Sequence, residues 1–217
     1  YASNGTLRQH FPREIALQLN TLLPYIMQIA DRLHYVHSRN LIHCDIKPEN
    51  LLLGPGNEVW LSDFGIAVAA RTRGDQEKQE SRGTAAYMAP EQILGRPVPA
   101  SDQYALAVIV YEWLCGELPF HGSTLQLHSQ HLYATPPRLR KRVPTISPAI
   151  EYVVLKALAK DPVQRYANVK EFALALVQVC QKERPLVLRT PASNVVRGAI
   201  TSSYSTRRAV GMGRMPL

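Results

Sequence analysis

The sequence predicts a mainly α-helical fold carrying one small β-hairpin, and three observations lead to it. Residues 21–38 place Leu22, Ile26, Ile29, Ala30, Leu33 and Val36 at three- and four-residue spacing, the stripe of an amphipathic helix. Residues 50–53 and 58–61 are short apolar runs on either side of Gly54-Pro55-Gly56-Asn57, strong turn chemistry that joins them as a hairpin. Beyond Glu91 the pattern is helical, over about residues 101–115, 124–133, 147–159 and 169–181.

Taken in order, the first helix carries Pro24, which fits a first turn because the missing N–H there has no partner to lose. The hairpin is the one strand pair that the pattern predicts. Residues 71–83 hold Arg, Asp, Glu, Lys, Gln and Ser with almost no apolar side chain, so the segment reads as a mobile surface loop. The longest apolar run, residues 104–115, is interrupted by Glu112 and is shorter than the about 20 residues a bilayer needs, so it reads as a buried helix. Residues 134–148 are a proline-rich connection. After Glu183 the periodicity stops, and residues 184–217, rich in Arg, Ser, Thr and Gly, read as a disordered tail.

The composition bounds the function. With 217 residues, 46% of them hydrophobic, the chain has material for a substantial core. Cys44, Cys115 and Cys180 are odd in number, widely spaced and without a C-x-x-C pattern, so neither a disulfide framework nor a zinc site is indicated and a reducing compartment is the simpler reading. The formal net charge of +8 invites nucleic acid or an anionic membrane as partner. Residues 184–217, however, contain six arginines and no acid, which leaves residues 1–183 only +2. With no aromatic stacking series, groove-reading helix or zinc finger, nucleic-acid binding by the folded part is not expected.

The chemistry is concentrated in His43-Cys44-Asp45-Ile46-Lys47-Pro48-Glu49-Asn50, followed thirteen residues later by Asp63-Phe64-Gly65 and then by Ala89-Pro90-Glu91. In this order these motifs resemble the catalytic half of a eukaryotic-type, bacterial-like serine/threonine protein kinase, over about residues 1–182. Phosphoryl transfer requires a placed nucleophile and neutralised phosphate oxygens, which these residue types supply. The resemblance implies Asp45 as the aspartate that accepts the substrate hydroxyl and its proton. It implies Lys47 as the lysine that steadies the transferring phosphate, a feature of serine/threonine specificity. Asn50 and Asp63, hard oxygen donors, match the ligands of Mg²⁺ held jointly with ATP. Ala2 matches the backbone that meets adenine and Leu52 the floor beneath it. His43 and Phe64 match packed structural residues, Thr84 a threonine contacting the catalytic aspartate, and Asp102 an acid that binds catalytic-loop N–H groups. Glu91 and Arg165 match the two ends of a buried salt bridge.

The resemblance further implies three regions: a hinge remnant at 1–7, the helical C-terminal lobe of the kinase at 8–182, and a basic tail at 183–217. The N-lobe is expected to be absent, since no G-x-G-x-x-G, no Val-Ala-x-Lys and no helix supplying that lysine's glutamate precede the hinge. The expected function is ATP-dependent transfer of phosphate to protein Ser or Thr, weak in this fragment alone. A non-catalytic regulatory or docking lobe is the alternative, against which stands the retention of Asp45, Lys47, Asn50 and Asp63 together. A small-molecule phosphotransferase shares an Asp and Asn loop but is not expected to carry Ala89-Pro90-Glu91, Asp102 and Arg165. The expected partner is a protein substrate and the expected location cytoplasmic, with no membrane span in the chain and an anchor conceivable beyond residue 217. Two departures stand out. Cys44 occupies the place of the arginine that pairs with a phosphate on the activation loop, which puts activation by phosphate on Thr72 or Ser81 in doubt. Ala107 replaces the usual glycine five residues after Asp102.

Overall fold

A computed structural model of the chain describes residues 4–63, 68–69 and 82–183. A short helix, α1 (Leu7–His10), is opened by a reciprocal capping box between Thr6 and Gln9. The long helix α2 (Leu19–Ser38) buries Leu19, Leu22, Ile26, Ile29, Ala30 and Leu33 on one side. It begins two residues earlier than its periodicity predicts, so Pro24 falls in the second turn rather than the first. There the proline removes one intrahelical donor, which tertiary packing of the apolar stripe outweighs. Asn40, at φ 58°, turns the chain out of the helix into strand β1 (Leu41–Ile42).

The predicted hairpin forms as β2 (Leu51–Leu53) against β3 (Val59–Leu61), antiparallel, with Leu52 opposite Trp60. A second antiparallel pair, which local pattern does not reveal, joins β1 to β4 (Val68–Ala69). Its two residues per strand are too few to carry a period. After α3 (Arg82–Ala85) and α4 (Pro90–Ile93), both single turns, comes α5 (Pro99–Cys115). Every residue of α5 from Ser101 to Leu114 is buried, the signature of a helix running through the middle of a domain. Gly116 ends it in the left-handed region at φ 78°, and a Cβ there would lie 3.2–3.3 Å from the backbone of Glu14, Ile15 and Ala16.

Around α5 pack α6 (Thr124–Tyr133), α7 (Leu139–Arg142), α8 (Pro148–Ala157) and α9 (Val169–Glu183). Ser123 and Ser147 accept hydrogen bonds at the N-termini of α6 and α8. The connection at residues 134–148 is therefore not wholly irregular, because Leu139, fully buried, anchors α7 within it. That same turn exposes Arg138, Arg140 and Lys141, so the tail is not the sole basic concentration in the chain. Cys44, Cys115 and Cys180 are thiols rather than members of disulfides. No helix of the described residues is long and apolar enough to cross a membrane. Ala2, Phe64, most of the predicted loop at 71–83 with Thr72 and Ser81, and the tail at 184–217 lie outside the described residues.

Candidate active site

The loop between β1 and β2 is held by α5. Asp102, 1% exposed near the start of that helix, accepts hydrogen bonds from the backbone N–H of His43 and of Cys44, both at 2.9 Å. His37, on the last turn of α2, donates from Nε2 to the same carboxylate at 2.7 Å. A buried carboxylate is stable only with such partners, and here three donors share it. His43, fully buried, faces the carbonyl of Ser62 with Nε2 at 3.0 Å and receives the N–H of Asp45 on Nδ1 at 3.3 Å. Since a carbonyl only accepts, the Nε2 proton is fixed by its partner. The histidine thus ties the loop to the end of the hairpin.

Asp45 stands at the centre. Its Oδ2 accepts from Lys47 Nζ at 2.9 Å and from Asn50 Nδ2 at 2.8 Å. Its other oxygen, Oδ1, is buried and has no hydrogen-bond partner among the described residues. Lys47 also donates to Thr84 Oγ1 at 2.9 Å, joining the loop to α3. Asn50, on the 3₁₀ turn Pro48–Asn50, donates as well to the carbonyl of Asp45 at 2.9 Å, which leaves its own side-chain oxygen to act as a ligand. Asp63 follows β3 in the left-handed region at φ 58°. The hydroxyl of Ser62 lies between the two, 3.1 Å from both the Asn50 carbonyl and Asp63 Oδ2, and its single proton serves one or the other. Two hard oxygen donors, Asn50 and Asp63, at one end of the hairpin fit a hydrated divalent cation shared with phosphate oxygens, and the orphaned Oδ1 of Asp45 is left to accept a further donor.

Leu52 is half-buried on the face of β2 opposite Leu51 and Leu53, with Thr6 bridged to it in antiparallel fashion. Asn4 N–H donates to the Leu53 carbonyl at 3.1 Å and Leu53 N–H to the Gly5 carbonyl at 2.8 Å. The predicted hinge residues that are described therefore line the hairpin edge. Glu91 and Arg165, 74 positions apart, form a bidentate pair at 2.7 and 2.8 Å, with Glu91 9% and Arg165 4% exposed. Ala107 is fully buried in the middle of α5.

A second charged cluster lies beside the loop and is not among the residues the sequence singles out for the site. Glu112, 1% exposed, accepts from Arg8 at 3.0 Å on each oxygen, from Tyr87 at 2.7 Å and from Arg13 at 3.0 Å. Arg8 also reaches Glu49 of the loop at 2.8 Å. Burial, reinforced by the negative charge of Glu112, holds the Tyr87 hydroxyl far above the ordinary tyrosine range. Burial opposes charge on Arg8, but its hydrogen bonds to Glu112 prevail and raise its pKa. The signal in the sequence was Glu112 itself, a lone acid in the longest apolar run, since a carboxylate on a buried helix face demands a cation. Gln92, which donates to the Cys44 carbonyl at 2.7 Å, carries no such signal.

Comparison with known proteins identifies the family. The family model for the protein kinase domain matches residues 1–183. The chain is 35% identical over 189 residues to the serine/threonine-protein kinase PknB of Mycolicibacterium smegmatis, covering 85% of this chain and 30% of that protein. It is 40% identical over 158 residues to the serine/threonine-protein kinase PknF of Mycobacterium tuberculosis, covering 70% of this chain and 33% of that protein. It thus spans about a third of the length of the curated relatives it matches. The loop held by Asp102, the oxygen donors at the hairpin end and these matches lead to one conclusion: the chain belongs to the protein kinase domain family, alongside bacterial serine/threonine kinases.

Proposed function

We propose that residues 8–182 are the C-terminal lobe of a serine/threonine protein kinase that transfers phosphate from ATP to hydroxyl groups of a protein substrate. The observation that carries the reading is the division of labour within Asp45, one oxygen engaged by Lys47 and Asn50 and the other buried without a partner. When bound, Mg²⁺–ATP supplies the phosphoryl group and neutralises charge on its oxygens. Asn50 and Asp63 would hold the metal through their side-chain oxygens. Asp45 Oδ1 accepts the substrate O–H, aims the oxygen along the line of transfer, and takes its proton as the new O–P bond forms and the bond to ADP breaks. Lys47 places a positive charge between Asp45 and Thr84, where the transferring group passes. Leu52 bounds the adenine on this side, and the role that the resemblance gives Ala2 falls outside the described residues.

The opposite face of the cleft, with its glycine-rich loop and strand lysine, is not encoded in these 217 residues. On this reading the chain alone transfers ³²P from ATP to a generic protein substrate at near background. Robust transfer that Asp45→Asn abolishes would overturn the single-lobe reading. Joined behind the nucleotide-binding lobe of PknB, the chain is expected to transfer phosphate, and Asp45→Asn to lower the rate about 10²- to 10⁴-fold. A joined protein that stays equally active with Asp45→Asn would remove Asp45 from its role.

A further inference from the structure

Cys44 is a side-chain-bearing residue at φ 63°, and it is 6% exposed. Such a conformation is unfavourable for an L-residue and persists only where its surroundings over-determine it. The surroundings here hold both sides. Its N–H donates to Asp102 Oδ1 at 2.9 Å, and its carbonyl accepts from Gln92 Nε2 at 2.7 Å. That carbonyl belongs to the peptide unit immediately before Asp45, whose N–H is taken by His43 Nδ1 at 3.3 Å. Both polar ends of the peptide that orients Asp45 are therefore fastened, one by His43 and the other by Gln92. The amide and carbonyl meet in a narrow slot beside Asp45, Thr84, Tyr87 and Met88. Gln92 in turn follows Glu91, which Arg165 holds bidentately.

We propose that Gln92 is a positioning residue for the transfer reaction: it fixes the Cys44–Asp45 peptide, carries the anchorage of the Glu91–Arg165 pair to the catalytic loop, and does so with no phosphate. The inference rests on the kinase reading of Asp45 and deepens it, since the arginine that would tie this loop to a phosphate is replaced by Cys44. The chain's own amide supplies a tether at the backbone of that same position.

The test uses the full chain with Gln92→Met, which keeps the length and removes the donor, and Gln92→Lys, which restores a donor. Gln92→Met is expected to speed hydrogen exchange of the amides at residues 43–45 about tenfold or more and to lower the melting temperature by only a few degrees, because the Cys44 carbonyl loses the glutamine donor while the rest of the fold keeps its contacts. Gln92→Lys is expected to exchange as the wild type does, and phosphatase treatment of the wild type to change nothing. Unchanged exchange in Gln92→Met, equal loss in Gln92→Lys, or faster exchange after phosphatase treatment would each overturn the proposal. In the joined protein Gln92→Met is expected to lower kcat with KM for ATP unchanged, and a change confined to KM would remove the positioning role. Failure of the kinase reading shows separately, as indifference of transfer to Asp45→Asn, an assay in which Gln92 is not altered.

Discussion

Arg165→Ala removes the most completely used cation in the described residues. All five of its N–H donors are engaged: Nε with the Ala159 carbonyl at 2.8 Å, Nη1 with Glu91 and the Ala100 carbonyl at 2.7 and 2.8 Å, Nη2 with Glu91 and the Lys160 carbonyl at 2.8 and 3.1 Å. The guanidinium also lies 4.9 Å from the centre of the Tyr104 ring. Truncation leaves the Glu91 carboxylate, 9% exposed, with only the hydroxyl of Ser101 at 2.7 Å, and strips three carbonyls of a donor. Breaking a buried pair from one side destabilises by about 3–5 kcal/mol. For a domain of this size each kcal/mol lowers the melting temperature by about 2–4 °C, so a fall of about 6–20 °C is expected. Calorimetry of the wild type, Arg165→Ala and a doubly substituted Glu91→Leu/Arg165→Leu protein measures it. The double variant is expected to recover part of the loss, because no charge is left buried alone. A single variant melting within about 2 °C of the wild type would refute the reasoning, and so would a double variant that loses the sum of the two single changes.

Other outcomes follow from the same physics. Glu112→Gln takes the charge away from Arg8, Arg13 and Tyr87 together and is expected to destabilise by about 3 kcal/mol in urea unfolding. Gly116→Ala forces a Cβ against the backbone at Glu14 to Ala16 in a left-handed conformation and is expected to lower stability by more than about 1 kcal/mol. Burial, aided by the positive charge of Lys160, pushes His131 down from 6.5 to about 3, with Tyr104 and the Ala86 carbonyl as its hydrogen-bond partners and His128 a further unfavourable neighbour. The unfolded chain therefore binds the extra proton first, so stability present above pH 6.5 is lost as pH falls from about 6.5 toward 3. Urea midpoints at pH 7, 5.5 and 4.5 measure the slope, and His131→Phe is expected to flatten it. Leu106→Ala, in the fully buried turn of α5, is expected to lose about 2–5 kcal/mol, checked by the same unfolding assay.

Local periodicity located α6 with both ends in place and found the hairpin within a residue, because Ser123, the Gly54-Pro55-Gly56-Asn57 turn and the apolar spacing all act within a few positions of one another. It misplaced the start of α2, where packing rather than propensity decides, and it missed the β1–β4 pair, whose partners are 26 or more residues apart and two residues long. The same division runs through the site. The motifs that hold Asp45, Lys47, Asn50 and Asp63 are legible through the resemblance they carry, because they lie on one loop and the hairpin that follows it. The cage around Glu112 and the grip of Gln92 on the Cys44 carbonyl are not, since each joins groups from 25 to 104 positions apart, and a glutamine reads the same in the sequence whether or not its amide has a backbone partner.

By itself the sequence determined which groups are present: a carboxylate and a lysine two residues apart, two hard oxygen donors after them, an apolar helix with one acid inside it, and a net charge of +8 of which residues 184–217 carry +6. Only the tertiary structure decided which oxygen of Asp45 is engaged and which is left without a partner, and which amide meets the Cys44 carbonyl. Those outcomes depend on directions and distances of a few ångströms between α5, α4 and the catalytic loop, and a hydrogen bond between elements far apart in the chain is fixed by their packing, not by their local sequence.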